Sequence, residues 1–287
     1  MVTICVVGLG LIGGSFAKAL RRNGFTGRII GVDNNPQHCT IAMYMGIADE
    51  FLPVDEAVDK SDVILLCTPV STNCQILPQI LDQIVGTSKV IADMGSTKAD
   101  IARTVSQHPG RGRYVAVHPM AGTEFSGPAA ALDTLFNDKI AIICDRELSD
   151  NDAIQLITAM LQSLNMRLRF MNSIDHDVHV AYVSHISHIT SFALALCVLD
   201  KEKNEQNILS LAAGGFESTV RLAKSNSETW APIFLGNADP VIEVIDTYIE
   251  KMKLFRKFIM DKDDSSLKEL MKKANAISRI LTNPVIK

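Results

Sequence analysis

Short apolar runs rich in β-branched side chains recur through the first part of the chain: Val2–Val7, Arg28–Val32, Asp62–Cys67, Lys89–Ala92, Tyr114–Val117, Lys139–Cys144 and Arg167–Met171. Between them lie stretches in which apolar residues return at helical spacing. Strands alternating with helices predict βαβ units and a mostly parallel sheet with helices on its faces. Thr72 with Gln75, and Thr97 with Asp100, have the spacing of a capping box, so each pair is expected to start a helix.

The pattern changes at Asn172. Strand runs stop, and long helical periodicities cover Asp175–Asp200 and Pro240–Asp261. The expected architecture is therefore α/β: a Rossmann-type domain over 1–171, followed directly by an all-helical domain over 172–287. So much apolar helical surface in so short a domain predicts burial against a partner subunit, with a compact monomeric bundle as the alternative.

Composition narrows the functional classes. The 287 residues are 47% hydrophobic and 21% charged, a globular profile with material for a large core. A net charge of -4 supplies no basic excess to neutralise phosphates, which argues against nucleic-acid and anionic-membrane surfaces. The longest uninterrupted apolar stretch of the second half, Phe192–Leu199, is far short of a bilayer span, and the first apolar run leads into a glycine turn with no signal-peptide cleavage pattern. The expected location is the cytoplasm. Six cysteines show no C-x-x-C spacing, and Cys5, Cys67, Cys144 and Cys197 sit inside apolar runs, where they read as small buried hydrophobes.

The first strand run ends in Gly8-Leu9-Gly10-Leu11-Ile12-Gly13, and Asp33 ends the second, about 20 residues after the last glycine. Gly8 permits the tight turn, Gly10 lets the backbone approach a pyrophosphate, and Gly13 lets helix and strand pack closely. The helix that opens at Leu11 and Ile12 offers free N–H groups to the anion. Asp33 can accept both ribose hydroxyls and repel a 2′-phosphate; Asn34 and Asn35 follow it with no arginine nearby, so NAD is favoured over NADP.

Chemistry is expected at the carboxyl ends of later strands. Ser96, in Gly95-Ser96-Thr97-Lys98, offers a hydroxyl not needed for the expected cap, whereas Lys98 reads as a solvated first-turn residue with a substrate contact as the alternative. His118 opens the segment His118-Pro119-Met120-Ala121-Gly122-Thr123-Glu124. A neutral imidazole, with an ordinary pKa of about 6.5, can take a hydroxyl proton as hydride leaves the same carbon. Glu124 could serve substrate, gate access or cap a turn. Among His176, His179, His185 and His188 a metal reading lacks a third ligand, and one of the flanking pair His185 and His188 is expected to face a cleft. Arg221, after Gly214-Gly215-Phe216, has the side chain suited to clamp a carboxylate.

Together the fingerprint, Gly95–Lys98, His118–Glu124, Ser184-His185-Ile186-Ser187-His188, and Gly214–Phe216 through Arg221, Ala223-Lys224-Ser225 and Trp230 resemble the prephenate and arogenate dehydrogenase family of tyrosine biosynthesis. The resemblance runs over nearly the whole chain. It implies a nucleotide-binding domain followed by a helical dimerisation domain, with an active site in the cleft between them and a homodimer as the assembly. It also implies NAD-dependent oxidative decarboxylation of prephenate, or of arogenate, without a metal. By that resemblance His118 is the catalytic histidine, Ser96 assists it, His188 contacts substrate, Arg221 binds a substrate carboxylate, and Gly122, Thr123 and Glu124 border the pocket. The rivals are another two-domain dehydrogenase or reductase, such as a β-hydroxyacid dehydrogenase or pyrroline-carboxylate reductase, and a non-catalytic NAD-sensing protein.

Overall fold

The computed structural model describes residues 1–203, 205 and 207–282. By compactness it divides into two units, Met1–Ala238 and Asp239–Lys287.

The first unit is built on one eight-stranded sheet. Its strands are β1 (Thr3–Val7), β2 (Arg28–Val32), β3 (Glu50–Phe51), β4 (Val63–Leu66), β5 (Val90–Asp93), β6 (Tyr114–Pro119), β7 (Ile140–Cys144) and β8 (Arg167–Met171). They lie in the order β3-β2-β1-β4-β5-β6-β7-β8, all parallel to their neighbours except for the antiparallel β6–β7 pair. All seven expected strands form; β3, two residues long, carries too little pattern to be read. β6 runs two residues beyond the expected end, because His118 and Pro119 pair with Ile142 and Ala141 of β7.

Alternation along the strands splits the core. Ile4, Val6, Val63 and Leu65 face one apolar layer; Cys5, Val7, Ile64 and Leu66 face the other. Near-continuous apolar strands are what a sheet covered on both faces requires, and each fully buried aliphatic side chain contributes about 1.5–3 kcal/mol of transfer free energy.

The helices of this unit are α1 (Leu11–Arg22), α2 (Pro36–Tyr44), α3 (Val54–Asp59), α4 (Val70–Ile84), α5 (Ala99–Thr104), α6 (Asn151–Ser163), α7 (Ser173–Val180), α8 (Ile186–Glu202), α9 (Gly214–Val220) and α10 (Ser227–Gly236). Neither expected capping box forms. α4 starts at Val70 behind Pro69, which places Thr72 inside the helix. α5 has Lys98 at its N-cap position and is capped from a distance, by Asp177, whose carboxylate accepts from the Lys98 and Ala99 backbone N–H groups at 2.8 Å each.

A π turn over Ala181–His185 joins α7 and α8 into one continuous helix, Ser173–Glu202, which is long and apolar enough to cross a bilayer by length and composition. Counting only uninterrupted apolar residues missed that property. Its His176, Asp177, His185 and Ser191 are nevertheless buried within the folded unit. Its C-terminal half carries exposed Leu194, Leu196 and Leu199. Cys197 on the same helix is exposed, contrary to expectation; Cys5 and Cys144 are buried and Cys67 is half-buried. An apolar run on a helix buries only the face that another element covers.

The second unit is helical. α11 (Ala238–Met260) leads into it, and α12 (Asp264–Ala274) and α13 (Ile277–Thr282) follow. α11 exposes Ile242, Ile249, Met252, Ile259 and Met260.

Candidate active site

β1 lies at the sheet's switch point, between β2 and β4, and the turn that leaves it opens the crevice where α/β sheets place ligands. Gly8 has φ +94°, and a Cβ there would lie 2.8 Å from the Cys67 carbonyl carbon. A Cβ on Gly13 would lie 2.0 Å from the Gly8 carbonyl oxygen, so α1 can begin against β1 only with glycine here. Gly10 is the opposite case: nothing stands within 4 Å of its would-be Cβ. That open face, together with an α1 N-terminus at Leu11 and Ile12 that carries no side-chain cap, fits a bound pyrophosphate. Asp33, just past β2, accepts from the Leu9 N–H at 2.9 Å, which ties the carboxylate to the glycine turn. The structure thus brings Gly8, Gly10, Leu11, Ile12, Gly13 and Asp33 into one cradle suited to a dinucleotide.

His118 stands at the carboxyl end of β6. Its Nδ1 lies 2.8 Å from His176 Nε2, and His176 Nδ1 lies 2.7 Å from Asp177 Oδ1. Because an ionised carboxylate only accepts, His176 must carry its proton on Nδ1 and present a lone pair at Nε2. His118 then donates from Nδ1, and its Nε2, which has no hydrogen-bond partner among the described residues, keeps a free lone pair. Burial, reinforced by His176, Lys98 and His185, holds the His118 pKa well below the ordinary histidine value. Burial also lowers His176, with the Asp177 hydrogen bond opposing. The arrangement is a neutral base whose proton-accepting atom is fixed by two further side chains.

Beneath it lies a buried ion pair. Lys98 is fully buried, with Nζ bonded to Asp93 and, at 2.7 Å, to the carbonyl of Val117, the residue before His118. Asp93 also accepts from the Tyr114 hydroxyl at 2.6 Å and the Gly95 N–H at 2.8 Å. Lys98 is therefore not the solvated residue expected; its ammonium turns inward to a carboxylate that is itself fully buried. Ser96, between these partners, is half-buried, and its hydroxyl has no hydrogen bond to a described residue.

The π turn lies directly ahead of His188, and such turns are frequent at functional sites. His185 is buried, its Nδ1 3.2 Å from Asn237 Nδ2, with Trp230 and Phe234 edge-on. His188 is half-buried and stacks on Trp230, ring centroids 3.4 Å apart, while its Nδ1 bonds the Ser184 carbonyl. Of the two flanking histidines, His185 is packed inside. Burial lowers the His188 pKa, the Ser184 carbonyl opposes, and Arg221 is near enough to lower it further. Arg221 itself is exposed. Gly122 and Thr123 are exposed and Glu124 half-exposed on the segment after β6; the Asn226 amide, which caps α10, reaches Ser126 on that segment at 3.3 Å. No hydrogen bond joins Gly122, Thr123 or Glu124 to His118 or Arg221 among the described residues.

Asp177 is the member that sequence reasoning passed over, and His176 was read there only as a possible metal ligand. The usable signal was an adjacent imidazole and carboxylate at the start of an otherwise apolar helix, since buried charge requires partners. Among the described residues no cluster of histidine, cysteine or acidic side chains is placed to hold a metal ion.

Sheet order, glycine turn and Asp33 define a dinucleotide-binding protein, with a buried histidine chain at the carboxyl end of another strand of the same sheet. The model of the prephenate dehydrogenase nucleotide-binding domain matches residues 16–170, and that of the prephenate dehydrogenase dimerization domain matches 172–273. The chain belongs to the prephenate dehydrogenase family. It is 30% identical to prephenate dehydrogenase of Bacillus subtilis (strain 168) over 95% of this chain and 74% of that protein. Among solved structures it is similar to prephenate dehydrogenase from A. aeolicus in complex with hydroxyphenyl propionate and NAD+, with TM-score 0.87, 29% identity and 99% of each chain covered. It is also similar to Synechocystis arogenate dehydrogenase, with TM-score 0.78, 26% identity, and coverage of 96% of this chain and 99% of that one.

Proposed function

We propose that this protein catalyses the NAD-dependent oxidative decarboxylation of prephenate to 4-hydroxyphenylpyruvate in tyrosine biosynthesis. The observation that carries the reading is the His118–His176–Asp177 chain at the end of β6, which holds a neutral base at the sheet edge that also carries the dinucleotide cradle. Gly8, Gly10, Gly13 and the α1 N-terminus at Leu11 and Ile12 would hold the pyrophosphate, and Asp33 the adenosine ribose. When bound, NAD supplies the hydride acceptor for C4 of the substrate.

His118 Nε2 takes the proton of the C4 hydroxyl, with Ser96 bonded to the same oxygen. The ketone so formed is conjugated with the two ring double bonds that flank the carbon bearing the carboxylate. It draws in the electron pair as carbon dioxide leaves, and the ring becomes aromatic. Arg221 binds a substrate carboxylate, His188 contacts the substrate from the helical side, and Gly122, Thr123 and Glu124 border the pocket.

The dinucleotide-binding part is assigned to 1–171 and the helical part to 172–287. The exposed leucines of α8 and the exposed aliphatics of α11 support assembly as a homodimer. The six cysteines are free, in keeping with a cytoplasmic location. Similarity to an arogenate dehydrogenase keeps that substrate as the second reading. The deciding experiment follows reduced cofactor spectrophotometrically with prephenate and arogenate, each with NAD and NADP. Turnover of prephenate with NAD is expected; preference for arogenate establishes the second reading, and no turnover with either refutes both.

A further inference from the structure

The dinucleotide cradle contains a titratable side chain that the fingerprint does not predict. α2 begins directly after β2, with Asn35 as its N-cap, accepting from the Gln37 N–H at 2.9 Å, and Pro36 in its first turn. This abrupt start brings His38 back over the end of β2, where its Nδ1 lies 3.2 Å from Asp33 Oδ2. The same oxygen accepts from Leu9 N–H at 2.9 Å, and Oδ1 accepts from Asn35 N–H at 2.9 Å. Three donors thus orient the carboxylate, and two of them are backbone N–H groups. His38 is the third. Its side chain is 35% exposed against 8% for Asp33, so the imidazole forms the outer wall beside the carboxylate. With Nδ1 donating, Nε2 faces away from Asp33, and it lies 3.9 Å from the position a Cβ would take on Gly127 in the segment after β6.

We infer that His38 is a cofactor-specificity residue, acting with Asp33 to select the unphosphorylated adenosine ribose. The inference rests on the dinucleotide reading above. Hydroxyl donors on the ribose need acceptor sites on Asp33 that point outward, and a carboxylate free to turn would not hold them there. The His38 hydrogen bond takes the second Oδ2 lone pair, beside the Leu9 N–H, and leaves the remaining Oδ1 lone pair for the ribose. It also adds a side-chain restraint to those of the two backbone N–H groups, keeping the carboxylate where it repels a 2′-phosphate. A fixed cation in place of the imidazole would invert this by neutralising Asp33 and pairing with the phosphate.

The test is calorimetric titration of the full-length protein with NAD and with NADP, for the wild type, His38→Gln, His38→Ala and His38→Arg, with thermal melts to establish folding. The quantity read is the ratio of the two dissociation constants, because everything but the 2′-phosphate is common to both ligands. The wild type is expected to favour NAD. His38→Ala should weaken NAD several-fold and narrow the preference at least threefold, His38→Gln should retain most of it, and His38→Arg should shift it toward NADP by at least tenfold. A merely structural imidazole would weaken both ligands alike, so an unchanged ratio across the folded variants overturns the inference while leaving the dinucleotide reading intact. Binding of neither ligand by the wild type overturns both.

Discussion

His118 Nδ1 lies 2.8 Å from His176 Nε2, and this single hydrogen bond decides which nitrogen of His118 is the base. With Asp177 accepting from the far side of His176, both imidazoles are locked into the Nδ1–H form, as in other chains where a carboxylate fixes a histidine tautomer. Replacing His176 by alanine frees His118 to turn and to protonate at either nitrogen. kcat is expected to fall by about 10- to 100-fold with little change in KM. In His176→Gln the amide oxygen can still accept from His118 Nδ1, so part of kcat should return. Steady-state kinetics on the two variants check this, and equal losses in both would remove the orienting role.

The position of the acid limb is a second consequence. An ordinary histidine would lose its base function on acidification through about pH 6.5, but burial depresses His118 well below that value. The base form therefore persists to lower pH, and kcat/KM should be insensitive to His118 near neutrality, falling only well below pH 6.5. A pH–rate profile with its acid limb at or above 6.5 would assign the essential base to another group.

Stability should respond to the same burial. His185 has its pKa lowered to about 4, chiefly by burial, with Asp177 opposing and His176 and His188 adding to the depression. The Asn237 amide donates toward its Nδ1, so a proton on that atom would displace the contact. A depressed imidazole binds fewer protons folded than unfolded. Its contribution is complete above the unfolded pKa, near 6.5, and is lost as pH falls toward 4. The loss is on the order of 3 kcal/mol for this one group. Thermal melts from pH 7 to pH 4 should show a steep decline that is reduced in His185→Gln, and parallel curves would contradict it.

Breaking the Lys98–Asp93 pair should be among the costliest single changes. Lys98→Met leaves Asp93 buried without its cation and the Val117 carbonyl without its donor. Removing one partner of a buried pair costs about 3–5 kcal/mol, a fall in Tm on the order of 10 °C for a protein of this size. Adding Asp93→Asn to Lys98→Met should recover part of the loss. Melting curves for the single and double variants measure this directly, and an unchanged Tm in Lys98→Met would show the pair to be dispensable.

What was legible in the chain follows from the range of each interaction. β-branched alternation placed seven strands, and the Gly8–Gly13 spacing with Asp33 placed the cradle, because these signals are local and sterically exacting. β3 was missed because two residues carry no period. Lys98 was misread because its partner, Asp93, belongs to the strand before it, and only the folded sheet edge shows both inside. The cap on α5 was assigned to the nearest candidates, whereas Asp177 supplies it from 79 residues away. His176 was read only as a possible metal ligand for the same reason: its role depends on β6 and α7 meeting, a contact that no local pattern encodes. The His118 segment was readable because a histidine, a glycine turn and an acid follow a strand without interruption, although the strand itself runs on through Pro119.

The central claim, that His118 accepts the substrate hydroxyl proton, is tested most directly by measuring NADH formation from prephenate for the wild type and His118→Asn, with NAD affinity determined separately by calorimetry. The account predicts equimolar NADH and 4-hydroxyphenylpyruvate from the wild type. It also predicts a loss of kcat of about 100- to 10,000-fold in the variant, the range of a positioned general base, with the NAD dissociation constant nearly unchanged. Turnover by His118→Asn at the wild-type rate would contradict it.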